Sequence, residues 1–219
     1  MFAHNMINYE VPPLRTSDSG LKAITFMEEF KLSHFPIVNN LDFLGMITEE
    51  DVYSLNSPEE ALGNHKLSLQ KPYVKEDDHL MEVIRVMHGQ RLTAVAVIDE
   101  QGRYKGLITR YEIVQYLAEM TAVQQPGALI VIEVNDRDYQ LSQISAIVES
   151  NDCKILSVSL KSIPDSTKIE VWLKLNRIDI GAVIATFTRF SYSIKASYFA
   201  HDEEDIDKRY DLLMKFLDM

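Results

Sequence analysis

The sequence predicts an α+β fold in which two copies of a small β-α-β-β-α unit are followed by a separate βαββαβ domain. Three observations carry that prediction. The N-terminal half aligns with itself at an offset of about sixty residues. A Pro126-Gly127 break ends that region, and the apolar pattern beyond it runs strand, helix, strand, strand, helix, strand. At 219 residues the chain has room for more than one core, and with 46% hydrophobic and 25% charged residues its composition is that of an ordinary globular protein.

Taken in order, Gly20-Leu21-Lys22-Ala23-Ile24-Thr25-Phe26-Met27 sets apolar residues at helical spacing, and Leu80-Met81-Glu82-Val83-Ile84-Arg85-Val86-Met87 repeats the pattern. Phe35-Pro36-Ile37-Val38 and Val95-Ala96-Val97-Ile98 are apolar runs of the kind found in strands buried on both faces. Turn residues follow each: Asn39-Asn40 in the first copy, and Asp99-Glu100-Gln101-Gly102-Arg103, one residue longer, in the second. The strongest match comes next, Phe43-Leu44-Gly45-Met46-Ile47-Thr48-Glu49-Glu50-Asp51-Val52 against Tyr104-Lys105-Gly106-Leu107-Ile108-Thr109-Arg110-Tyr111-Glu112-Ile113, a strand that hands over to a helix. Between the copies, Ser57-Pro58-Glu59-Glu60 has a capping serine, proline at the first helical position and glutamate three residues after the cap, which predicts a short helix to about Gly63. The stretch from Asn64 to Tyr73 leads into the second copy.

An apolar helix, a strand carrying Pro36, a hairpin and then Gly-h-h-Thr-x-x-acid, found twice in register, resembles the paired CBS domain, or Bateman module, over Ile7 to Met120. The pair is expected within residues 1–123, with repeat one at about 7–56 and repeat two at about 68–120. The residues alone leave two readings of Thr48 with Asp51 and of Thr109 with Glu112. One is a capping box, which needs no ligand. The other is a hydroxyl and a carboxylate offered to a ribose at the head of a helix. The resemblance implies the second for an adenosine-containing ligand: AMP, ADP, ATP or S-adenosylmethionine. Asp51 would then hold the ribose diol and Thr48 would orient it or contact the phosphate side, with the adenine in an apolar slot near Leu14, Phe35 and Pro36 and with Thr16 as a polar contact. In the second copy Glu112 replaces the aspartate and Ala96 the proline, and the longer glutamate projects into the space of the sugar, so the first site is the expected one. Arg15, Lys75 and Arg110 are the cations that the repeat places as candidates for a phosphate.

After Gln124-Gln125-Pro126-Gly127, Ala128 to Val134 reads as a strand, Leu141, Ile144, Ile147 and Val148 as one helix face, and Ile155–Lys161 and Ile169–Leu175 as strands flanking the turn Pro164-Asp165-Ser166. Ile180, Val183, Ile184 and Phe187 mark a second helix, and Ser193 to Phe199 closes the set. This order gives a ferredoxin-like sheet. Over 127–200 it resembles an ACT domain, through Asp136-Arg137-Asp138-Tyr139-Gln140-Leu141-Ser142-Gln143-Ile144, which follows the pattern Asp-x-x-Gly-x-Leu-x-x-Ile except that Tyr139 stands at the glycine. A side chain there obstructs the close approach of an amino-acid ligand, so assembly is the expected role of this domain. A CBS pair joined to an ACT-like domain resembles the acetoin-utilisation accessory family. Residues 201–219, with the acidic run His201 to Asp207 and then Tyr210, Leu213, Phe216 and Leu217, predict an amphipathic helix.

A net charge of -11 argues against a nucleic-acid partner. No apolar stretch is long enough to predict a membrane span, and Met1 to Val11 lacks the basic start and apolar run of a secretory signal. Cys153 is the single cysteine, which rules out an internal disulfide and suits a reducing cytoplasm. Histidines 4, 34, 65, 79, 88 and 201 show no metal spacing, and the eight glycines form neither a Gly-x-Gly-x-x-Gly nor a Walker pattern. The sequence thus predicts a cytoplasmic, non-enzymatic regulatory protein with no required cofactor. It would be a homodimer whose adenosine-ligand occupancy an unidentified regulated protein reads. The alternative is a ligand-free dimerisation scaffold.

Overall fold

A computed structural model describes residues 1–67 and 69–198, so the helix expected over 201–219 lies outside the described residues. The chain divides into two compact units, Met1–Tyr116 and Leu117–Met219. Among the described residues no helix is long and apolar enough to cross a membrane.

In the first unit the first copy comprises α1 (Gly20–Phe30), β1 (His34–Asn39), β2 (Asp42–Thr48) and α2 (Glu49–Tyr53). The second comprises β3 (Tyr73–Lys75), α3 (Leu80–Gly89), β4 (Ala94–Ile98), β5 (Tyr104–Thr109) and the part of α4 (Arg110–Met120) up to Tyr116. Ser19 caps α1 by accepting the Lys22 N–H, and the helix ends at Lys31 in the left-handed conformation. α1 buries Ala23 and Met27, and α3 buries Leu80, Val83 and Met87. Both hairpins are antiparallel, and both carry a register shift at the matching place, Ile37/Val38 and Val97/Ile98. β3 lies parallel to β4. Leu14 does the same work for β1, donating its N–H to Pro36 O at 2.9 Å and accepting from Val38 N at 2.8 Å.

The copies are also interlaced. Asn8, ahead of the first copy, pairs with Leu107 of the second hairpin, while Gln70, ahead of the second copy, pairs with Met46 of the first. This crossing explains two glycines. Gly45 and Gly106 have φ of +148° and +158°, and each lies directly beneath the other copy's leading segment. A Cβ at Gly45 would stand 2.7 Å from both Gln70 O and Leu69 Cβ, and one at Gly106 would run into Ile7 Cγ2. The two positions therefore occupy like environments.

β4 is buried along its whole length because both its faces are covered. Ala94 and Ala96 join Leu14, Phe35, Ile37 and Leu107 in one cluster, while Val95 and Val97 join Met6, Leu80, Val83 and Met87 in another. Phe35 is fully buried, with its ring centroid 6.0 Å from Phe26 and 6.1 Å from Phe30. Burial of such a ring is worth about 1.5–3 kcal/mol.

One expected helix does not form. The Glu60 N–H does turn back to Ser57 O, but the next amides leave the helical path: Leu62 N donates to Asp18 O and Gly63 N to Thr16 O. Ala61 also bridges to Ser19. Pairing with the segment before α1 captures the donors that helix propagation needs, and a short 3-10 turn over Leu62–Asn64 is what remains.

The second unit contains β6 (Leu129–Asn135), α5 (Leu141–Glu149), β7 (Ile155–Ser162), β8 (Lys168–Leu175), α6 (Gly181–Arg189) and β9 (Ser193–Tyr198). Its sheet has the order β7-β8-β6-β9 with every pairing antiparallel, the ferredoxin-like arrangement. Ile130, Ile132, Val171 and Leu173 of the sheet pack with Ile144, Ile147 and Val148 of α5 and Val183 and Phe187 of α6. On β6, Glu133 takes Lys168 at 2.7 Å and Lys195 at 2.9 Å, and these lysines hold its carboxyl below the usual carboxylate range. Gly127 has φ +147°, and a Cβ there would strike Leu175 O, so the residue that breaks the chain pattern is also required by packing.

Candidate functional site

His34 opens β1 directly opposite Thr48, the last residue of β2, so the strand-to-helix handover of the first copy has a ring on one side and a hydroxyl on the other. Thr48 has extended backbone angles and caps α2. Its Oγ1 accepts the Asp51 N–H at 3.1 Å, and Asp51 Oδ2 accepts from Thr48 N at 2.9 Å and from Thr48 Oγ1 at 2.7 Å. The capping box is thus complete without a ligand. It consumes one oxygen of Asp51; among the described residues Oδ1 accepts no hydrogen bond.

These residues border a cavity of about 350 Å³ built from both copies. His34, Met46, Thr48, Glu50 and Asp51 come from the first, Gln70 and Pro72 from the linking segment, and Gln90 and Leu92 from the end of α3 and the turn after it. His34 is fixed by its neighbour copy: Thr93 N donates to His34 Nδ1 at 3.3 Å, and Thr93 Oγ1 lies 3.0 Å from the same nitrogen. A ring nitrogen that accepts an amide proton is unprotonated, so the imidazole carries its proton on Nε2. Burial holds the His34 pKa below its ordinary value; the Arg110 charge pushes the same way and the Asp51 charge opposes it.

In the second copy the acid reaches back in the same way, but Thr109 Oγ1 accepts the Tyr111 N–H at 3.1 Å. Thr109 N donates to Glu112 Oε2 at 2.8 Å, and Thr109 Oγ1 bonds to the same oxygen. The other oxygen, Oε1, accepts from Asn8 Nδ2 at 2.7 Å. Both carboxylate oxygens are therefore engaged by protein groups, and the segment that does this also donates Asn8 N to Leu107 O.

The structure brings Thr48 and Asp51 together in one cavity but does not bring the other expected contacts there. Leu14 and Phe35 are fully buried in the apolar cluster, and Pro36 is buried within β1. The Thr16 hydroxyl donates to Asn39 Oδ1 at 3.1 Å, at the opposite end of β1 from His34. Arg15 and Lys75 do not line the cavity. Arg110 does not line it either, and its Nε and Nη2 donate to the carbonyls of Leu92 and Arg91. Larger hollows exist, one of about 740 Å³ beside α3 with Ile84, Ile113 and Val114, and one of about 610 Å³ near Cys153, but neither includes a repeated threonine and acid. Cys153 is buried with Sγ 3.4 Å from Asn176 Oδ1. Tyr139 packs on the core of its unit. Among the described residues no group of three or more His, Cys, Asp or Glu is placed to hold a metal ion.

His34, Gln70, Gln90 and Asn8 were not legible as site residues. The duplication was the available signal: a repeat whose leading segments cross places residues of one copy at the cleft of the other.

Residues 5–56 and 68–119 each match the family model of the CBS domain. A curated relative, inosine-5'-monophosphate dehydrogenase of Methanocaldococcus jannaschii, is 24% identical over 151 residues, which is 68% of this chain. The match spans only 30% of that enzyme's length. A CBS domain pair/ACT domain protein from Thermotoga maritima has a similar structure, with 20% identity, a TM-score of 0.49, and coverage of 54% of this chain and 98% of its own. The CBS-pair protein CBSX2 of Arabidopsis thaliana, solved in complex with AMP, gives 15% identity and a TM-score of 0.47, covering 54% of this chain and 96% of its own. With two matched domains in register and two interlaced copies in space, the first half of the chain is a tandem pair of CBS domains.

Proposed function

We propose that the protein is a regulatory sensor that binds one adenosine-containing small molecule per chain, in the cavity at Thr48 and Asp51, and performs no chemistry on it. The observation that carries this reading is the state of Asp51: Oδ2 is locked in the capping box while Oδ1, on a residue that borders the cavity, is left for the two hydroxyls of a ribose. The CBS resemblance supplies the ligand class. The Glu112 carboxylate has both oxygens engaged by Thr109 and Asn8, so on this reading it leaves none for a second ribose. On this reading the protein works in the cytoplasm as a homodimer, the second unit is an ACT-like assembly domain, and an unidentified regulated protein reads the change in the pair. Occupancy shifts that change only as far as the ligand prefers one arrangement over the other.

A ligand-free dimerisation scaffold remains the second reading, favoured by apolar residues that the helices leave exposed: Leu21, Tyr53, Met81, Tyr111 and Val114. Titration calorimetry of the full chain with adenosine compounds separates the two. The sensor reading expects binding at one per chain that weakens at least about tenfold in Asp51→Ala, the loss of a charge-assisted hydrogen bond. Heat of binding unchanged by that substitution removes the site from Asp51, and no heat with any adenosine compound leaves the scaffold.

A further inference from the structure

The cavity at Asp51 has a charge pattern that restricts what it accepts. Its charged lining residues are Glu50 and Asp51, both acidic. Glu49 adds a third carboxylate in the same turn, held by Ser33 Oγ at 2.8 Å. No lysine or arginine lines the cavity. Arg110 is the cation whose charge reaches His34, but it does not line the cavity, and its Nε and one Nη2 N–H donate to the carbonyls of Leu92 and Arg91. Lys71, between Gln70 and Pro72, is exposed and outside the lining. His34 is neutral near pH 7, since its Nδ1 accepts the Thr93 amide. The five-residue α2 has too few aligned peptides to act as an anion site, and its first turn is already filled with carboxylates.

Resting on the reading of Asp51 as a ribose clamp, we propose that this cavity takes an adenosine compound without net negative charge, the free nucleoside or a nucleoside sulfonium such as S-adenosylmethionine, and rejects nucleotides increasingly as phosphates are added. A 5′-phosphate on the ribose that Asp51 holds stays within about one low-salt Debye length of Glu50 and Asp51, with no lysine or arginine in the lining to neutralise it. Like charges at that range, partly screened by solvent, cost about tenfold in affinity for each added charge at low salt. The apolar lining of Met46, Pro72 and Leu92 accepts an uncharged or methionyl substituent instead.

The test is calorimetry on the full chain with adenosine, S-adenosylmethionine, AMP and ATP, at about 50 mM and about 500 mM salt, repeated with Glu50→Lys, Glu50→Gln and Asp51→Ala. Glu50 is exposed, so its replacement leaves the core untouched, and the far-UV spectrum checks the fold. Adenosine or the sulfonium is expected to bind at least about tenfold more tightly than ATP at low salt, with a smaller gap at high salt. Glu50→Lys should tighten ATP by about tenfold and change adenosine by no more than about threefold, with Glu50→Gln between. Stronger binding of the sulfonium than of adenosine assigns the cationic ligand, and the reverse assigns the nucleoside. Binding of ATP as tight as that of adenosine, and lost in Asp51→Ala, overturns the charge selection while leaving the ribose clamp standing. Binding indifferent to Asp51→Ala, or none by any of the compounds, overturns both.

Discussion

Asp51 and Glu112 hold equivalent positions in the two copies, yet the structure assigns them unequal shares in stability. Replacing Asp51 by alanine removes a capping box whose acid is partly exposed, and loss of such a cap costs about 1 kcal/mol. Replacing Glu112 removes the equivalent acceptor of the Thr109 N–H and also the partner of the Asn8 carboxamide. A hydrogen bond to a charged group contributes about 1.5–3 kcal/mol when shielded, and partial exposure of Glu112 reduces this to about 1 kcal/mol. Glu112→Ala should therefore cost about 2 kcal/mol, roughly twice the cost of Asp51→Ala. Asn8→Ala alone does not isolate the contact, because Asn8 Oδ1 also accepts from Glu10 N and Val11 N. A double-mutant cycle over Asn8 and Glu112 does isolate it, with an expected coupling of about 1 kcal/mol. Urea denaturation of the four proteins, followed by fluorescence and circular dichroism together, supplies the free energies. Equal costs for the two acids, or a coupling indistinguishable from zero, would refute the argument that the second carboxylate is spent on the protein and the first is kept for a ligand.

Three further outcomes follow from the geometry. Gly45→Ala and Gly106→Ala should each destabilise by about 1–3 kcal/mol through positive φ and close contact; pairing Gly106→Ala with Ile7→Ala should recover part of its loss, whereas the Gly45 clash with Gln70 O is with backbone and has no such remedy. The folded-state pKa of His34 lies below its ordinary value of about 6.5, so the unfolded chain binds the proton first and stability falls as pH drops through that value towards the folded pKa. Urea midpoints at pH 7.5 and 5.5 should show this slope and a smaller one in His34→Gln, with an equal slope in both proteins counting against it. Phe187→Ala removes a fully buried ring that meets Tyr192 edge-on at 5.4 Å, and should cost the second unit about 3–5 kcal/mol in thermal or chemical unfolding; a cost under about 1 kcal/mol would contradict the packing described.

Much of the fold was legible because local pattern and tertiary structure agree. β4 reads as an unbroken apolar run, and it is covered on both faces. Gly45 and Gly106 recur at matched places because the same crossing occurs twice. The helix expected after Ser57 failed for a non-local reason: its amides found acceptors at Thr16 and Asp18, forty-odd residues away in sequence, and no local propensity encodes that choice. The site divides in the same way. Thr48 and Asp51 announce themselves through a short spacing that local chemistry fixes. Gln70 and Gln90 reach the cavity only through the association of the copies, His34 reaches it through the β1–β2 pairing, and the Asn8 contact to Glu112 spans 104 positions. Leu14 and Phe35 read as a slot because they are apolar and near the motif, but the same apolarity draws them fully into the core.

A crystal structure of the full chain grown with adenosine bears most directly on the central claim. The account predicts ribose density beside Thr48, with both hydroxyls within hydrogen-bond distance of Asp51 Oδ1, and Asn8 still bonded to Glu112. Ribose density at Glu112, or density for the nucleoside only at a place that contains neither acid, contradicts it.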